Sequence, residues 1–216
     1  ADLAFRDEHL RTAWEQVLAN DAEDGVLGPG VRRFERDCDK EIARLVADLS
    51  WSAYEARDLT EVILPGDDKE RILHIPAVRD RVVERAILDV LTPIVDPVLG
   101  PASYAYRPGL GVIDAVQAVV QLREEGLRWV LRTDIDDCFP TIPVPLARRM
   151  LGALVADDAL LRVIDLLLAR PYVSQRRGLR VMRGLAQGCA LSPMLANLVL
   201  AQVDSELMGE GFAVVR

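Results

Sequence analysis

The sequence predicts a mixed α/β fold of the α+β kind, on three observations. Apolar residues recur at helical spacing over most of the chain, and two short β-branched runs bracket a Pro-Gly-Asp-Asp turn. A further apolar run, RWVLRTDIDDCFPTI at residues 128–142, reads as a strand that ends in carboxylates. The chain has 216 residues, of which 50% are hydrophobic and 28% charged, enough to bury a core in one large or two small domains. That balance excludes a disordered chain.

From the N-terminus, residues 8–20 read as a helix with Leu10, Ala13, Trp14, Val17 and Leu18 on one face, and Gly25, Gly28, Pro29 and Gly30 follow as a loop. A second helix is expected over residues 31–49, where Phe34, Cys38, Ile42, Leu45, Val46 and Leu49 share a face. Residues 59–64 and 71–75 are expected as a hairpin joined by PGDDKE, residues 65–70. A helix over 78–91 should stop at Thr92-Pro93, and another should run over 112–122. After the central strand, Pro143 and Pro145 open a helix over 146–155, and the next spans 158–169 before Pro171. Ser192 offers an N-cap, with Pro193 at the first helical position, for a helix reaching Met208; residues 211–216 begin another strand.

A formal net charge of -8 and a pI near 4.9 are the wrong sign for a protein held to nucleic acid by bulk electrostatics. Phosphate contacts must therefore come from local clusters. One basic island exists, RPYVSQRRGLRVMRG at residues 170–184, with Arg170, Arg176, Arg177, Arg180 and Arg183; it reads either as a phosphate-facing surface or as a solvated hairpin. Cys38, Cys138 and Cys189 form no metal-ligand spacing and leave an odd thiol, which fits a reducing cytosol. No apolar run reaches membrane-spanning length, so a cytoplasmic location without a membrane partner is expected.

The central stretch carries Asp134, Asp136 and Asp137. Mg²⁺ takes oxygen ligands and commonly binds one or two carboxylates together with substrate phosphates, so a strand-end aspartate suits nucleotidyl transfer. Taken alone, the same residues also make a solvated turn.

Five segments in order carry a resemblance. AWEQVLAN with Asp24-Gly25-Val26, RILHIPAVRDRVVERAI (71–87), SYAYRPGLGVIDAV (103–116), RTDIDDCFPTI (132–142) and GLAQGCALSPMLANLVL (184–200) are similar to successive parts of bacterial reverse transcriptases of the group II intron type. In that family these are the N-terminal extension, the fingers motif, the segment after it, the palm strand with the first catalytic aspartate, and the loop and helix under the templating base pair.

The resemblance implies right-hand polymerase fingers and a partial palm, with an antiparallel palm sheet packed with helices. The N-terminal extension and fingers would occupy 1–110, the palm 111–145, the fingers return 146–183 and the second, incomplete part of the palm 184–216. It implies an RNA-directed DNA polymerase using an RNA template, a DNA primer and deoxynucleoside triphosphates. Asp134 and the backbone carbonyl of Ile135 would hold Mg²⁺, for which Mn²⁺ can substitute. Asp137 and Cys138 would turn backbone N–H groups to the triphosphate, and Phe139 would be a steric gate against a ribose 2'-hydroxyl. Arg71 matches the fingers arginine that clamps the triphosphate. The family's companion lysine falls where this chain has Pro65, which leaves Lys69 as its replacement; Arg79 and Arg81, at a helix start, would either touch nucleotide or template or serve the fold. Gln187 and Gly188 would pack on the nucleotide sugar and the template, with Asn197 facing substrate farther along the same helix. Arg176, Arg177, Arg180, Arg183 and Pro193 would meet template and primer.

In the family a strand like GFAVVR leads into Tyr-x-Asp-Asp, whereas this sequence stops at Arg216. The chain by itself is therefore expected to be inactive, with an open palm edge that favours self-association or a partner chain. The alternative is a non-catalytic, reverse-transcriptase-like module that binds RNA or protein. Relatives of this type serve mobile introns, CRISPR adaptation, diversity generation and phage defence.

Overall fold

The computed structural model describes residues 1–23, 25, 27–66, 70–174 and 176–216. Its core is built mainly from helices. α1 (Asp7–Glu23) buries Leu10, Ala13, Trp14 and Val17, the stripe that the spacing predicts. Trp14 meets Phe34 of the next helix with ring centroids 4.5 Å apart. The single helix expected over 31–49 is two, α2 (Pro29–Arg36) and α3 (Cys38–Ser50), broken at Asp37 with φ −107° and ψ 21°. Aspartate competes poorly for a helix interior, and the break lets both halves turn apolar residues inward: Val31 and Phe34 from one, Ile42, Leu45 and Leu49 from the other.

β1 (Leu59–Leu64) and β2 (Arg71–Ile75) have the expected bounds and pair antiparallel, Thr60 opposite Ile75 and Leu64 opposite Arg71. The turn between them includes residues 67–69, which lie outside the described residues. α4 (Val78–Val95) runs through Pro93 where the sequence predicts a stop. The proline falls in the last turn, so it removes only one ladder bond there. Leu91 and Val95 are fully buried on either side of it, which holds the final turn in the core. A 3-10 turn, Asp96–Val98, ends the segment.

α5 (Val112–Glu124) buries no residue at all. The short α6 (Cys138–Thr141) is followed by α7 (Val144–Leu154) and α8 (Asp158–Leu168), whose first turn is capped by the Asp157 carboxylate accepting from Leu160 N–H at 2.9 Å. β3 (Tyr172–Ser174) and β4 (Gly178–Arg180) form a second small hairpin, and α9 (Leu191–Gly209) closes the helical order.

Among the described residues four strands make one sheet in the order β2-β1-β3-β4, with β1 and β3 parallel and the other pairs antiparallel. This sheet belongs to the hairpins at 59–75 and 172–180. The run expected as a palm strand, 128–135, makes no ladder, and Trp129, Val130 and Leu131 are 96%, 78% and 89% exposed. The last residues are held by backbone bonds to a preceding loop, Arg216 N–H to Ala102 O at 2.7 Å and Tyr104 N–H to Arg216 O at 2.8 Å. α4 crosses the centre and packs on α1, α2, α7, α8 and α9. Among the described residues no helix is long and apolar enough to cross a membrane.

Candidate functional site

Asp134, Ile135 and Asp136 are exposed on the stretch that lacks a partner strand. The chain then reverses at Asp137, whose backbone is left-handed (φ 46°, ψ 45°), a conformation that a short polar side chain tolerates better than most. The reversal starts α6, where the Asp137 carbonyl accepts from Thr141 N–H at 3.1 Å. Cys138 and Phe139 are half-buried and pack on the core from that short helix. Burial pushes the Cys138 thiol up from its ordinary value; Arg216 opposes this and Asp134 adds to it, so both charges act on the turn.

Residues 184–190 tie this turn to the sheet at β2. Leu185 N–H donates to Phe139 O at 2.9 Å, and a Cβ on Gly184 would lie 2.3 Å from Pro140 O. No side chain fits there. At the other end His74 N–H, in β2, donates to Gln187 O at 2.7 Å. Gly188 has φ +107°, and a Cβ there would lie 2.9 Å from His74 O and 3.3 Å from Ile75 Cδ1. One loop thus spans from the Phe139 turn to β2. Side chains alternate along a strand, so Arg71 shares the face of Ile75, four residues and about 13 Å away. Arg71 itself is exposed.

Two expected substrate contacts point elsewhere. Arg79 is turned inward, donating to Asp48 at 3.0 Å and lying 5.5 Å over the Tyr54 ring, so its guanidinium is spent on the fold. Asn197 is 3% exposed and both ends of its amide are taken: Nδ2 donates to Ala105 O and Oδ1 accepts from Arg216 Nη1, each at 2.7 Å. Arg216 also forks onto Asp204, at 3.0 and 2.7 Å to Oδ2. Asn197 therefore fastens a loop and cannot face a substrate in this arrangement. Lys69 lies outside the described residues. Pro193 is half-buried near the start of α9.

The basic island divides. Arg176, Arg177, Arg180 and Arg183 are exposed, with Arg176 paired to Glu70 at 3.3 Å. Arg170 is 4% exposed and belongs to the interior. There it donates to Glu84, and its Nη1 lies 3.8 Å from Asp80. Asp80 also accepts from Tyr54 Oη at 2.6 Å and from Arg57 N–H at 2.9 Å. Burial pushes the Tyr54 hydroxyl far up, and Asp80 adds to it. Burial works against charge on both partners: on Arg170 it is outweighed by Glu84, Cys189 and Asp80 together, whereas it pushes the Glu84 carboxyl up against the pull of Arg170 and the Ala190 N–H. The sequence reading missed Asp80 and Glu84. A signal was there: they fall on the stripe of Val83, Ile87 and Leu91, where acids are out of keeping.

Ser192 is not the helix cap. It is 2% exposed inside α9, which starts one residue earlier, and the N–H of Ala190 is taken by Glu84 Oε2 at 2.7 Å.

A family model for reverse transcriptase (RNA-dependent DNA polymerase) matches residues 64–215. The chain belongs to the reverse transcriptase family. Among curated relatives, this reverse transcriptase chain is 28% identical over 188 residues to protein YkfC of Escherichia coli, covering 85% of the chain and 49% of the relative. It is 24% identical over 202 residues to the group II intron-encoded protein LtrA of Lactococcus lactis, covering 93% and 33%. The group II intron type read from the five segments agrees with that relative. A solved structure titled as a partial Cas6-RT-Cas1–Cas2 complex matches 100% of the chain and 36% of its own, with a TM-score of 0.62 and 26% identity. The chain spans about half or less of the length of these relatives.

Proposed function

We propose that this chain supplies the fingers and part of the palm of an RNA-directed DNA polymerase: extension and fingers at 1–110, palm at 111–145 and 184–216, fingers return at 146–183. The observation that carries the reading is the 184–190 loop, bonded to the Phe139 turn at Leu185 and to β2 at Gln187. A nucleotide lying against that loop would have Arg71 on one side and Phe139 on the other. Arg71 takes the triphosphate with its planar fork. Backbone N–H groups of Asp137 and Cys138 donate to phosphate oxygens, and the Phe139 ring fills the space of a ribose 2'-hydroxyl, which selects deoxynucleotides. Gln187 and the bare backbone of Gly188 pack on the sugar and the template. Arg177, Arg180 and Arg183 meet template and primer phosphates, joined by Arg176, whose exposed pair with Glu70 is readily exchanged.

The metal donors fit in kind. The exposed Asp134 carboxylate and the Ile135 carbonyl are hard oxygen donors suited to Mg²⁺ or Mn²⁺. Among the described residues no group of three or more His, Cys, Asp or Glu stands together, so these two form only part of a coordination shell. When bound, the ion would activate a primer 3'-hydroxyl and neutralise the triphosphate.

A second reading is a non-catalytic module that binds RNA or protein, and the net charge of -8 favours it. The deciding experiment takes the whole natural protein containing this chain and measures deoxynucleotide incorporation on an RNA template and DNA primer with Mg²⁺, beside Asp134→Ala. Incorporation that the substitution abolishes supports the polymerase. An inert wild type, or incorporation indifferent to Asp134, gives way to the binding module.

A further inference from the structure

We propose that Glu84 and Arg170 are a positioning pair that fixes the 184–190 loop, and through it Gly188, against the nucleotide site; the role rests on the polymerase reading above. Asp80 and Glu84 lie one helical turn apart on the buried stripe of α4 and share one guanidinium. Asp80 is already satisfied by Tyr54 and the Arg57 N–H. Glu84 is 1% exposed, and its second oxygen reaches out of its own helix to the N–H of Ala190, two residues past Gly188.

Arg170 ties the opposite side. Its Nε donates to Leu167 O at 2.7 Å, where α8 ends, and its Nη2 lies 3.4 Å from Cys189 Sγ. Residues 189 and 190 are thus both gripped by side chains, one by each partner. Two further anchors of the loop, Leu185 to Phe139 and Gln187 to His74, are backbone bonds that do not depend on side-chain identity.

Tolerance at Gly188 is small, since even a methyl group would come within 2.9 Å of His74 O. A loop that slid by an ångström would collide with β2 or leave a gap beside it. Burying two acids and a guanidinium costs free energy that apolar side chains of the same volume would not. What the pair gives in return is direction: a charge-assisted bond to one chosen N–H at the start of α9.

The test uses Glu84→Met/Arg170→Met, which removes both charges together and keeps the volume, and Glu84→Gln, which keeps an acceptor oxygen for Ala190. Amide hydrogen exchange of the 184–191 peptide in this chain is read first, followed by KM and kcat for a deoxynucleotide in the whole natural protein. The folded double variant should exchange about tenfold or more faster at 184–190, the effect of one lost charge-assisted bond, with peptides from α1 unchanged. KM should rise by about the same factor while kcat holds, and Glu84→Gln should restore most of both. Unchanged loop exchange in the folded double variant overturns the proposal. So does faster exchange with an unchanged KM in an active polymerase. If the wild type is inert, the polymerase reading is what has failed, and exchange alone decides whether the pair holds the loop.

Discussion

Gly184→Ala tests the contact that joins the two halves of the candidate site. A Cβ built there lies 2.3 Å from Pro140 O, 2.5 Å from Pro140 C and 2.7 Å from Phe139 O. Carbon and oxygen normally keep about 3.3 Å apart, so the methyl overlaps backbone by about 1 Å. All three atoms are main chain, and none can rotate away as the end of a flexible side chain would. Overpacking of this kind costs about 1–3 kcal/mol. Straining the adjacent Leu185 to Phe139 bond adds about 1 kcal/mol, for an expected loss near 3 kcal/mol. For a domain of this length that is a fall in melting temperature of about 6–12 °C. Gly209→Ala is the control: its Cβ meets nothing within 4 Å and the residue ends α9, so the change should be neutral or stabilising by up to about 1 kcal/mol. The assay is urea and thermal unfolding of both variants beside wild type. If Gly184→Ala unfolds within about 0.5 kcal/mol of wild type, the close approach of the two loops is wrong. In an active whole protein the same variant should also lose up to about 100-fold in rate, because a 1 Å shift of Phe139 moves a group that, in the proposed function, bounds the substrate.

Two further outcomes are expected. His74 is half-buried, edge-on to Tyr172, and burial holds its pKa below the ordinary value although Glu61 pulls the other way. A base depressed in the folded state binds fewer protons folded than unfolded. Its contribution to stability is therefore present above the unfolded value of about 6.5 and lost as pH falls through the folded value. Melting temperature should accordingly fall more between pH 7 and pH 5 in wild type than in His74→Gln, and equal slopes would count against the burial argument. Val112, Ile113 and Val116 of α5 and Trp129, Val130 and Leu131 in the segment after it are each more than half exposed. Apolar surface of that kind is covered in working proteins, so the isolated chain should self-associate through these residues, and Val116→Glu/Trp129→Glu should lower the mass seen by light scattering. Equal masses for wild type and variant would refute these residues as the contact.

Local chemistry was enough to read much of this molecule. The β1–β2 hairpin, the apolar stripe of α1, the span of α8 and the order of the five family segments all follow from residues near one another in the chain, where periodicity and turn chemistry act. What local chemistry could not decide was which charges go inside. Arg170 reads as one of five arginines in the basic island, and Asp80 and Glu84 stand on an apolar stripe that does not show what they meet; only folding brings them together, with Tyr54 and Ala190, across separations of 26 to 106 residues. Arg79 and Asn197 read as substrate contacts for the same reason, because their partners Asp48, Ala105 and Arg216 are remote in sequence. Pro93 reads as a stop until Val95 is seen buried beyond it. A sequence fixes propensities over a few residues, whereas the cost of a buried charge, the worth of a helix's last turn and the fit of one glycine against another loop are set by whatever the fold brings alongside.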